Sequence, residues 1–419
     1  MKNTRKFRAN SLVTSVLVVG MLVGGIALTV AQSDVSASGA PSSNQGVTFK
    51  TLVNLSAGDG IGGSFLELAN GNLIGTGGGG AYGSGMIFEM TPTGTRTTLY
   101  SFCEVSGCPD GSGPSRLVLG ADGNFYGITG GGGAYGYGTV YKFAGLTTLT
   151  TLHSFDNTDG NIGAGGYLTQ AGGNFYGTTE NGGNLTQCYE NGCGSIFEIA
   201  PSGTPFTTLY DLCSQPACAD GAINFDALVQ GTDGNFYGAT WGGGAGNGGT
   251  VFKMTPTGTL TTLYSFCAKV YPFCSDGDNP IGLVLGTDGN FYGTTVAGGG
   301  NYPMGTVFKI TPTGTLTTIY NFCAQTGCTD GSNPRDGLTL GSDGNFYGTT
   351  YYGGTYNEGT VFRLTPAGVL TTLHSFDGKD GNFPLQPVLE AANGTIYGTT
   401  SAGGCNGSGT IFSLVVGLK

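Results

Sequence analysis

A chain of 419 residues with a formal net charge of −11 and only 10% charged residues is a poor partner for polyanions, which argues against nucleic acid. Its 83 glycines follow no Gly-X-Y period, which excludes a collagen helix. The 21 tyrosines and 24 phenylalanines recur too regularly for a disordered low-complexity chain.

The chain opens with a basic stretch, Met1 to Arg8, followed by the almost wholly apolar run Leu12 to Ala31. Thr29-Val30-Ala31 places small residues where a signal peptidase needs them, so residues 1–31 read as a secretory signal peptide. An uncleaved anchor is the rival, because about 20 apolar residues span a bilayer. The polar residues that follow at once favour cleavage, which leaves no membrane span in the mature chain and a net charge of −15 once Lys2, Arg5, Lys6 and Arg8 are gone. The absence of cysteine from this region excludes lipoprotein attachment. Residues 32–46 are Ser, Ala, Gly and Asn without pattern and are expected to be a disordered spacer.

Residues 47–419 are repeats, read as one domain. The stretch Gly282–Phe322 shows the unit: Gly-Leu-Val-Leu-Gly, Asn-Phe-Tyr-Gly-Thr-Thr, Gly-Thr-Val-Phe-Lys-Ile and Thr-Leu-Thr-Thr-Ile-Tyr-Asn-Phe. These runs are rich in aromatic and β-branched residues. They are joined in turn by Thr-Asp-Gly-Asn, a Gly-rich loop and Pro-Thr-Gly-Thr, so one unit is a four-stranded antiparallel meander. The Gly-Asn-aromatic-Tyr-Gly signature is followed through Asn72, Asn124, Asn174, Asn235, Asn290 and Asn345, with Thr395 in the seventh copy, at steps of 52, 50, 61, 55, 55 and 50 residues. The Gly-Thr-Val-Phe run also occurs seven times, ending at Phe88, Tyr141, Phe197, Phe252, Phe308, Phe362 and Phe412.

A four-stranded meander cannot bury both of its faces alone. Seven stacked radially can, so the expected fold is all-β, a seven-bladed β-propeller of four-stranded antiparallel blades. A β-solenoid usually has shorter coils, and separate beads would need linkers that are not visible. The first run after the spacer, Phe49 to Leu55, matches the outer Thr-Leu-Tyr-Ser-Phe run, and the last repeat stops at Gly409 to Phe412. The N-terminal strand is therefore expected to close the last blade.

The repeat, in particular Asp330-Gly331-Ser332-Asn333-Pro334, Asp343 to Thr350 and Gly359-Thr360-Val361-Phe362, resembles the GloVer-type tandem repeat of bacterial choice-of-anchor surface proteins, over roughly Lys50 to Phe412. The resemblance implies an exported, surface-associated bacterial protein with no assigned activity, and it brings no catalytic residue with it. Family members often end in a sorting segment. The end of this chain, Ser413 to Lys419, does not resemble one, which argues against permanent attachment and for a secreted, cell-surface or periplasmic location.

Antiparallel alternation puts the short Asp-Gly-Asn and Pro-Thr-Gly turns on one face and the long Gly-rich loops, with the loops entering each unit, on the other. The long-loop face is where a site is expected. Each entering loop carries an Asp-Gly: Asp59, Asp110, Asp159, Asp220, Asp276, Asp330 and Asp380. A ring of carboxylates could draw a cation, but a residue needed in every blade reads first as a turn cap. His153 and His374 occupy a strand slot that Tyr fills elsewhere, so no Ser-His-Asp triad, Cys-His pair or His-based metal site can be assembled. No catalytic residue, metal site or cofactor is assigned. Glu180, Glu190 and Glu358 are non-recurring loop acids and the basis of an alternative, a secreted glycoside hydrolase or lyase.

The pairs Cys103–Cys108, Cys188–Cys193, Cys213–Cys218, Cys267–Cys274 and Cys323–Cys328 suit local disulfides in an exported chain better than zinc, and Cys405 is left over. Their expected effect is to stiffen long loops on one face. Trp241, the only tryptophan, and Tyr82, Tyr135, Tyr302 and Tyr356 lie in Gly-rich loops, where exposed rings suit sugar or peptide stacking. These five are the candidate ligand-binding residues. The expected function is a non-catalytic, monomeric binding or scaffold protein of the cell exterior, holding a glycan or a protein partner. The intact mass of the exported protein should correspond to a chain starting at Gln32; a mass retaining residues 1–31 refutes the cleaved leader.

Overall fold

The computed structural model describes residues 46–417, apart from 61–62, 164–165, 187, 189–190, 225, 269–273 and 301–303. The expected leader at 1–31, and residues 32–45 of the expected spacer, lie outside the described residues. Among those described, no helix is long and apolar enough to cross a membrane.

Each repeat folds as read. In blade 4, Val229–Gln230, Phe236–Thr240, Thr250–Met254 and Leu260–Ser265 are hydrogen-bonded in that order. Blades 1 to 6 span 66–101, 112–154, 168–211, 229–265, 278–321 and 339–375, and seven such sheets form a seven-bladed propeller. In blade 7, Leu389–Glu390, Thr395–Thr400 and Thr410–Val416 take their outer strand from Val47–Asn54. Thr51 pairs with Phe412, Val53 with Ile411, and a register shift falls between them. The outer strands of the other blades carry the same shift, for example between Val251 and Phe252 in blade 4, so the closing strand reproduces their geometry. Phe49 also stacks on His374 of blade 6 at 3.7 Å, as Phe206 stacks on His153 at 3.8 Å.

The Asp-Gly-Asn-Phe-Tyr-Gly run shows how one short motif builds a blade. In blade 4 the turn carboxylate of Asp233 accepts from the Asn235 amide, the Tyr237 hydroxyl and Lys253 Nζ at 2.7–2.9 Å. The same arrangement recurs at Asp122 and Asp288. Phe and Tyr point to opposite faces of the second strand. The Tyr of one blade therefore meets the Phe of the next: Tyr126–Phe175, Tyr176–Phe236, Tyr237–Phe291 and Tyr292–Phe346 have ring centroids 4.0–4.3 Å apart. The glycine that follows makes room for the third-strand Phe. A Cβ on Gly238 would lie 2.4 Å from Phe252 Cζ, and one on Gly398 2.3 Å from Phe412 Cζ. Buried threonine pairs such as Thr240–Thr250 and Thr350–Thr360, at 2.8–2.9 Å, tie the ends of the second and third strands together.

The Asp-Gly ring has a structural role. Tyr100, Tyr210, Tyr264 and Tyr320 donate to Asp110, Asp220, Asp276 and Asp330 at 2.7–2.9 Å, and His153 and His374 meet Asp159 and Asp380 at 2.7 Å. Each of these carboxylates also receives backbone amides of its own crossover, such as Ser214 and Gln215 on Asp220. The two histidines thus substitute for tyrosine in one repeated contact.

All five cysteine pairs are bonded: Cys103 to Cys108, Cys188 to Cys193, Cys213 to Cys218, Cys267 to Cys274 and Cys323 to Cys328. Cys405 is an exposed free thiol. The Cys188–Cys193 bond lies in a Gly-rich loop, and the other four sit in the longer crossovers between blades. Stiffening is only part of what the crossover bonds do. Cys218 and Cys328 end short 3-10 turns, Pro216–Cys218 and Thr326–Cys328, whereas Cys274 lies outside any regular element. In all three the carbonyl accepts two amides, one from the Asp-Gly glycine and one from the Gly-rich loop: Gly221 and Gly244 on Cys218, Gly277 and Gly299 on Cys274, Gly331 and Gly354 on Cys328. The second cysteine of each pair therefore couples the crossover to the loop beside it.

The short crossovers, around Asp156 and Asp377, are instead held by aspartate turns, with Asp156 Oδ1 accepting from the Thr158 amide at 2.9 Å. Each small disulfide ring removes roughly 2 kcal/mol of chain entropy, and both devices bring the Asp-Gly carboxylate to the same place under the aromatic slot.

Deleting residues 47–56 should strip the outer strand from blade 7 and lower the melting temperature sharply. An unchanged melt would remove the clasp as a source of stability.

Candidate functional site

Two slots in each repeat face the propeller axis on the long-loop side. One directly follows the Gly-Thr-Thr end of the second strand and holds Gly78, Gly130, Glu180, Trp241, Val296, Tyr351 and Ser401 in blades 1 to 7. Their equivalence shows in the backbone: the amides of Trp241, Tyr351 and Ser401 donate to the carbonyls of Ile223, Asn333 and Phe383 in the loop entering the same blade. Blades 3 to 6 carry large side chains here, whereas blades 7, 1 and 2 carry Ser, Gly and Gly. Tyr351, for example, is packed between Arg335, 4.5 Å from its ring centre, and Phe383, stacked at 4.8 Å. On the side of the small residues a cup of about 880 Å³ opens. Its lining includes Gly78, Gly130 and Ser401, the hydroxyls of Ser56, Ser112 and Ser115, and Tyr167 and Gln386 at its floor.

The second slot lies just ahead of the innermost strand. A channel of about 340 Å³ is lined there from every blade: Ser64, Arg116, Gly282 and Pro387 stand directly before Phe65, Leu117, Leu283 and Val388, Asp226 and Asp336 stand one position earlier, where blade 2 has Ser115 and blade 7 has Gln386, and Thr169 follows Leu168. Cup and channel are one residue apart along the chain: Ser115 lines the first and Arg116 the second, Gln386 the first and Pro387 the second.

The channel holds the charged groups. Arg116 Nη2 is 3.8 Å from Asp226 Oδ1, and its guanidinium lies 4.6 Å from the ring centre of Tyr167. Thr178 Oγ1 of blade 3 donates to the Asp226 carbonyl at 3.0 Å, and Thr294 Oγ1 of blade 5 to the Asp336 carbonyl at 2.9 Å, so each aspartate is positioned by the preceding blade. The carboxylates receive backbone amides as well, Ala227 on Asp226 and Gly337 on Asp336, both at 2.6 Å. Solvent reaches Asp226 only through the channel, leaving 16% of its side chain exposed. Desolvation therefore raises its carboxyl above the ordinary range despite Arg116. Asp336 is raised further, by desolvation first and by the charge of Asp226 second. Gln386 Oε1 has no hydrogen-bond partner in the protein.

The described candidate binding residues, Trp241, Tyr82, Tyr135 and Tyr356, do not line the cup. Trp241 is half-buried at the rim slot of blade 4 and does not line the cup. Tyr82, Tyr135 and Tyr356 stand at loop tips, 48%, 64% and 61% exposed, on blades 1, 2 and 6. Tyr302 lies outside the described residues. Of the acids, Glu180 and Glu358 line neither cavity, Glu358 accepting from Asn382 Nδ2 at 3.1 Å, and Glu190 lies outside the described residues. The disulfide cysteines, Cys218, Cys274 and Cys328 among them, line neither cavity either. The sulfurs of Cys188, Cys193 and Cys213 lie within 4.8 Å of one another. All three are tied up in bonds, Cys213 with Cys218, so no thiolate is available there for a metal. Sequence reasoning missed Arg116, Asp226 and Asp336. The available signal was a charge one residue before the inner-strand Leu117, or two before Leu228 and Leu338, at positions that are uncharged in the other repeats.

A model of the Gloeobacter/Verrucomicrobia repeat matches residues 64–273 and 270–416. No curated protein matches the chain. Among solved structures, the extracellular domain of a hybrid two-component system from B. thetaiotaomicron is 11% identical with a TM-score of 0.55 over 87% of this chain and 39% of that one. An extracellular domain from the same organism, described as a one-component system, is 11% identical with a TM-score of 0.51 over 88% and 40%. This chain thus spans about two fifths of either, and the likeness is one of fold.

A carboxyl whose folded-state pKa is raised stabilises the fold below its unfolded value, about 3.9, and loses that contribution as pH rises through the folded value. Asp336→Asn should therefore raise the melting temperature at pH 8 and have no effect at pH 4. A lower melting temperature at pH 8 would show that the charged form is favoured in the channel.

Proposed function

The chain belongs to the Gloeobacter/Verrucomicrobia repeat family, and we propose that it works outside the cell as a monomeric, non-catalytic binding protein that holds a glycan in the cup. The observation that carries this reading is the lining. The cup is bounded by serine side chains and glycine backbone, a surface that matches a neutral polyhydroxyl better than an apolar or anionic ligand. On the long-loop side Tyr82 and Tyr135 are exposed and Trp241 is half-buried, and these are the rings on which a longer chain leaving the cup would stack.

Export from a bacterial cell by the leader at 1–31 is part of the proposal. It is supported by five disulfides, which persist in oxidising compartments, and by the extracellular origin of the two-component and one-component domains that share the fold. The hydrolase alternative needs two carboxylates flanking one bond. Glu180 and Glu358 stand on blades 3 and 6, and the carboxylates that share the channel among the described residues are Asp226 and Asp336.

A glycan array followed by titration of the best ligand tests the reading. Ser401→Tyr, which places in blade 7 the residue blade 6 already has, should fill the cup and weaken binding at least about tenfold, roughly 1.4 kcal/mol. Trp241→Ala should cost less, about threefold to tenfold for one stacked ring. Affinity untouched by Ser401→Tyr would move the site off the cup, and release of cleaved product would make the protein an enzyme.

A further inference from the structure

Two disulfides meet where blade 3 hands over to blade 4, away from both cavities. We infer that Cys188–Cys193 and Cys213–Cys218 together form a thiol–disulfide exchange site. A small dithiol reduces them as one two-electron couple, leaving a new bond, Cys193–Cys213, and two thiols, Cys188 and Cys218.

Three observations carry this. The first is proximity. The sulfurs of Cys188, Cys193 and Cys213 lie within 4.8 Å of one another, and Cys218 is bonded to Cys213. The other crossover pairs, Cys103–Cys108, Cys267–Cys274 and Cys323–Cys328, follow Gly-rich loops that contain no cysteine. They make the same kind of bond without a neighbour to exchange with.

The second is the backbone. Ser195 pairs with Asp211 in the antiparallel ladder of blade 3, and the Leu212 amide donates to the Gly194 carbonyl at 3.0 Å. Cys193 and Cys213 are the next residues out on the two chains, so their backbones already run side by side. Facing residues of antiparallel strands are spaced as a disulfide requires. Both backbones are also held by the loop entering blade 4. The Cys193 carbonyl accepts from the Ile223 amide at 2.8 Å, and the Cys213 amide donates to the Gly221 carbonyl at 2.9 Å. A change of sulfur partners therefore asks for movement of side chains, with these backbone bonds kept.

The third is exposure. Cys193 and Cys213 are 0% and 3% exposed, packed with Leu212 and Ala222, whereas Cys188 and Cys218 are half-buried. Each bond thus joins one buried sulfur to one that solvent reaches. An apolar setting disfavours a thiolate, and the sulfur of lower pKa is the better leaving group. The arrangement that bonds the two buried sulfurs to each other and frees the two outer ones is favoured on both counts.

The exchange balances in three steps. One thiolate of the dithiol attacks Cys218 Sγ, the Cys213–Cys218 bond breaks, and the electron pair goes to Cys213. The Cys213 thiolate attacks Cys193 Sγ, and the Cys188–Cys193 bond breaks with its pair on Cys188, which takes up a proton. The second thiolate of the dithiol then closes on the first and releases Cys218, which is protonated in turn. Two protein disulfides and one dithiol become one protein disulfide, two protein thiols and one cyclic disulfide. Entry at Cys188 gives the same product through Cys193.

The test is partial reduction of the folded, exported protein with limiting dithiothreitol, in a Cys405→Ser background so that no other thiol starts an exchange. Quenching with N-ethylmaleimide and non-reducing peptide mapping then read the pairing. Among molecules that have lost two electrons at this site, the Cys193–Cys213 bond should exceed each original bond at least about tenfold, the equivalent of roughly 30 mV for a two-electron couple. Cys188 and Cys218 should carry the label. Survival of either original bond as the main product, passage to four thiols without the new bond, or equal amounts of bonds to other blades overturns the inference. A second arm needs no reductant. Cys218→Ser should hold Cys193–Cys213 with Cys188 free, whereas Cys328→Ser should leave Cys323 free and every other bond in place. Retention of Cys188–Cys193 in Cys218→Ser also overturns the inference, and if that variant fails to fold the reduction experiment decides alone.

Discussion

The contact on which this fold depends is the tyrosine of one blade lying against the phenylalanine of the next. It is made with ring centroids 4.0–4.3 Å apart at four consecutive boundaries, from blade 2 to blade 6. Where the sequence departs from Phe-Tyr, aliphatic residues take the place: Tyr347 packs with Ile396, Tyr397 with Leu73, and Ile74 with Phe125. An aromatic pair adds about 0.5–1.5 kcal/mol beyond its buried area, and here the hydroxyls of Tyr126, Tyr237 and Tyr292 are carried out to a turn aspartate and that of Tyr176 to Glu198. The glycine after the tyrosine and the aspartate before it are consequences of the same contact. One leaves space for the Phe of the third strand and the other receives the hydroxyl.

A ring built from such recurring contacts has little individuality left, and what remains lies where the repeats differ. Both slots that face the axis vary freely because neither takes part in the Tyr–Phe contact. In the rim slot the difference is one of size, and a run of Ser401, Gly78 and Gly130 in adjacent blades makes a cup that single small residues would not. In the two positions ahead of the inner strand the difference is one of charge, and Arg116, Asp226 and Asp336 line one channel only because the ring brings blades 2, 4 and 6 around it.

This division explains what could be read from the chain. The blade count, the strand order, the closing strand and the roles of His153 and His374 all follow from periodicity, because a residue exchangeable with another in a repeated slot has the job of that slot. The disulfides were legible for a similar reason, as short pairs in loops of the same class. The part their carbonyls play was not, since nothing in the spacing of Cys218, Cys274 or Cys328 points to the Gly-rich loop that each one holds. The channel charges were equally hidden. Asp226 and Asp336 are 110 residues apart, the first between Phe225 and Ala227 and the second between Arg335 and Gly337, so nothing local joins them into a site. The acids that stand out in the sequence are those of the Gly-rich loops, and Glu180 and Glu358 line neither cavity. Trp241 invites a reading as a platform because it is unique. Its slot, however, holds Glu180, Val296 and Tyr351 in neighbouring blades, so the feature that stands out geometrically is the side of the ring where that slot is nearly empty.

A cup made of backbone and small side chains cannot adapt to its ligand, so its selectivity has to come from being held rigid before the ligand arrives. Its walls are consistent with that requirement. The crossover from blade 1 to blade 2, which continues into Ser112 and Ser115, is stapled by Cys103–Cys108 and by the hydrogen bonds of Asp110 to Tyr100 and the Cys103 amide. The crossover from blade 2 to blade 3, which leads to Gly163 and Tyr167, is held by Asp156 and by the His153–Asp159 contact. Ser401 is fixed by donating its own hydroxyl to the Phe383 carbonyl at 2.7 Å. The polar groups that bound the cup are thus set by interactions made outside it, with the Ser115 and Ser401 hydroxyls donating to the Ile128 and Phe383 carbonyls, which leaves their oxygens as acceptors for whatever enters.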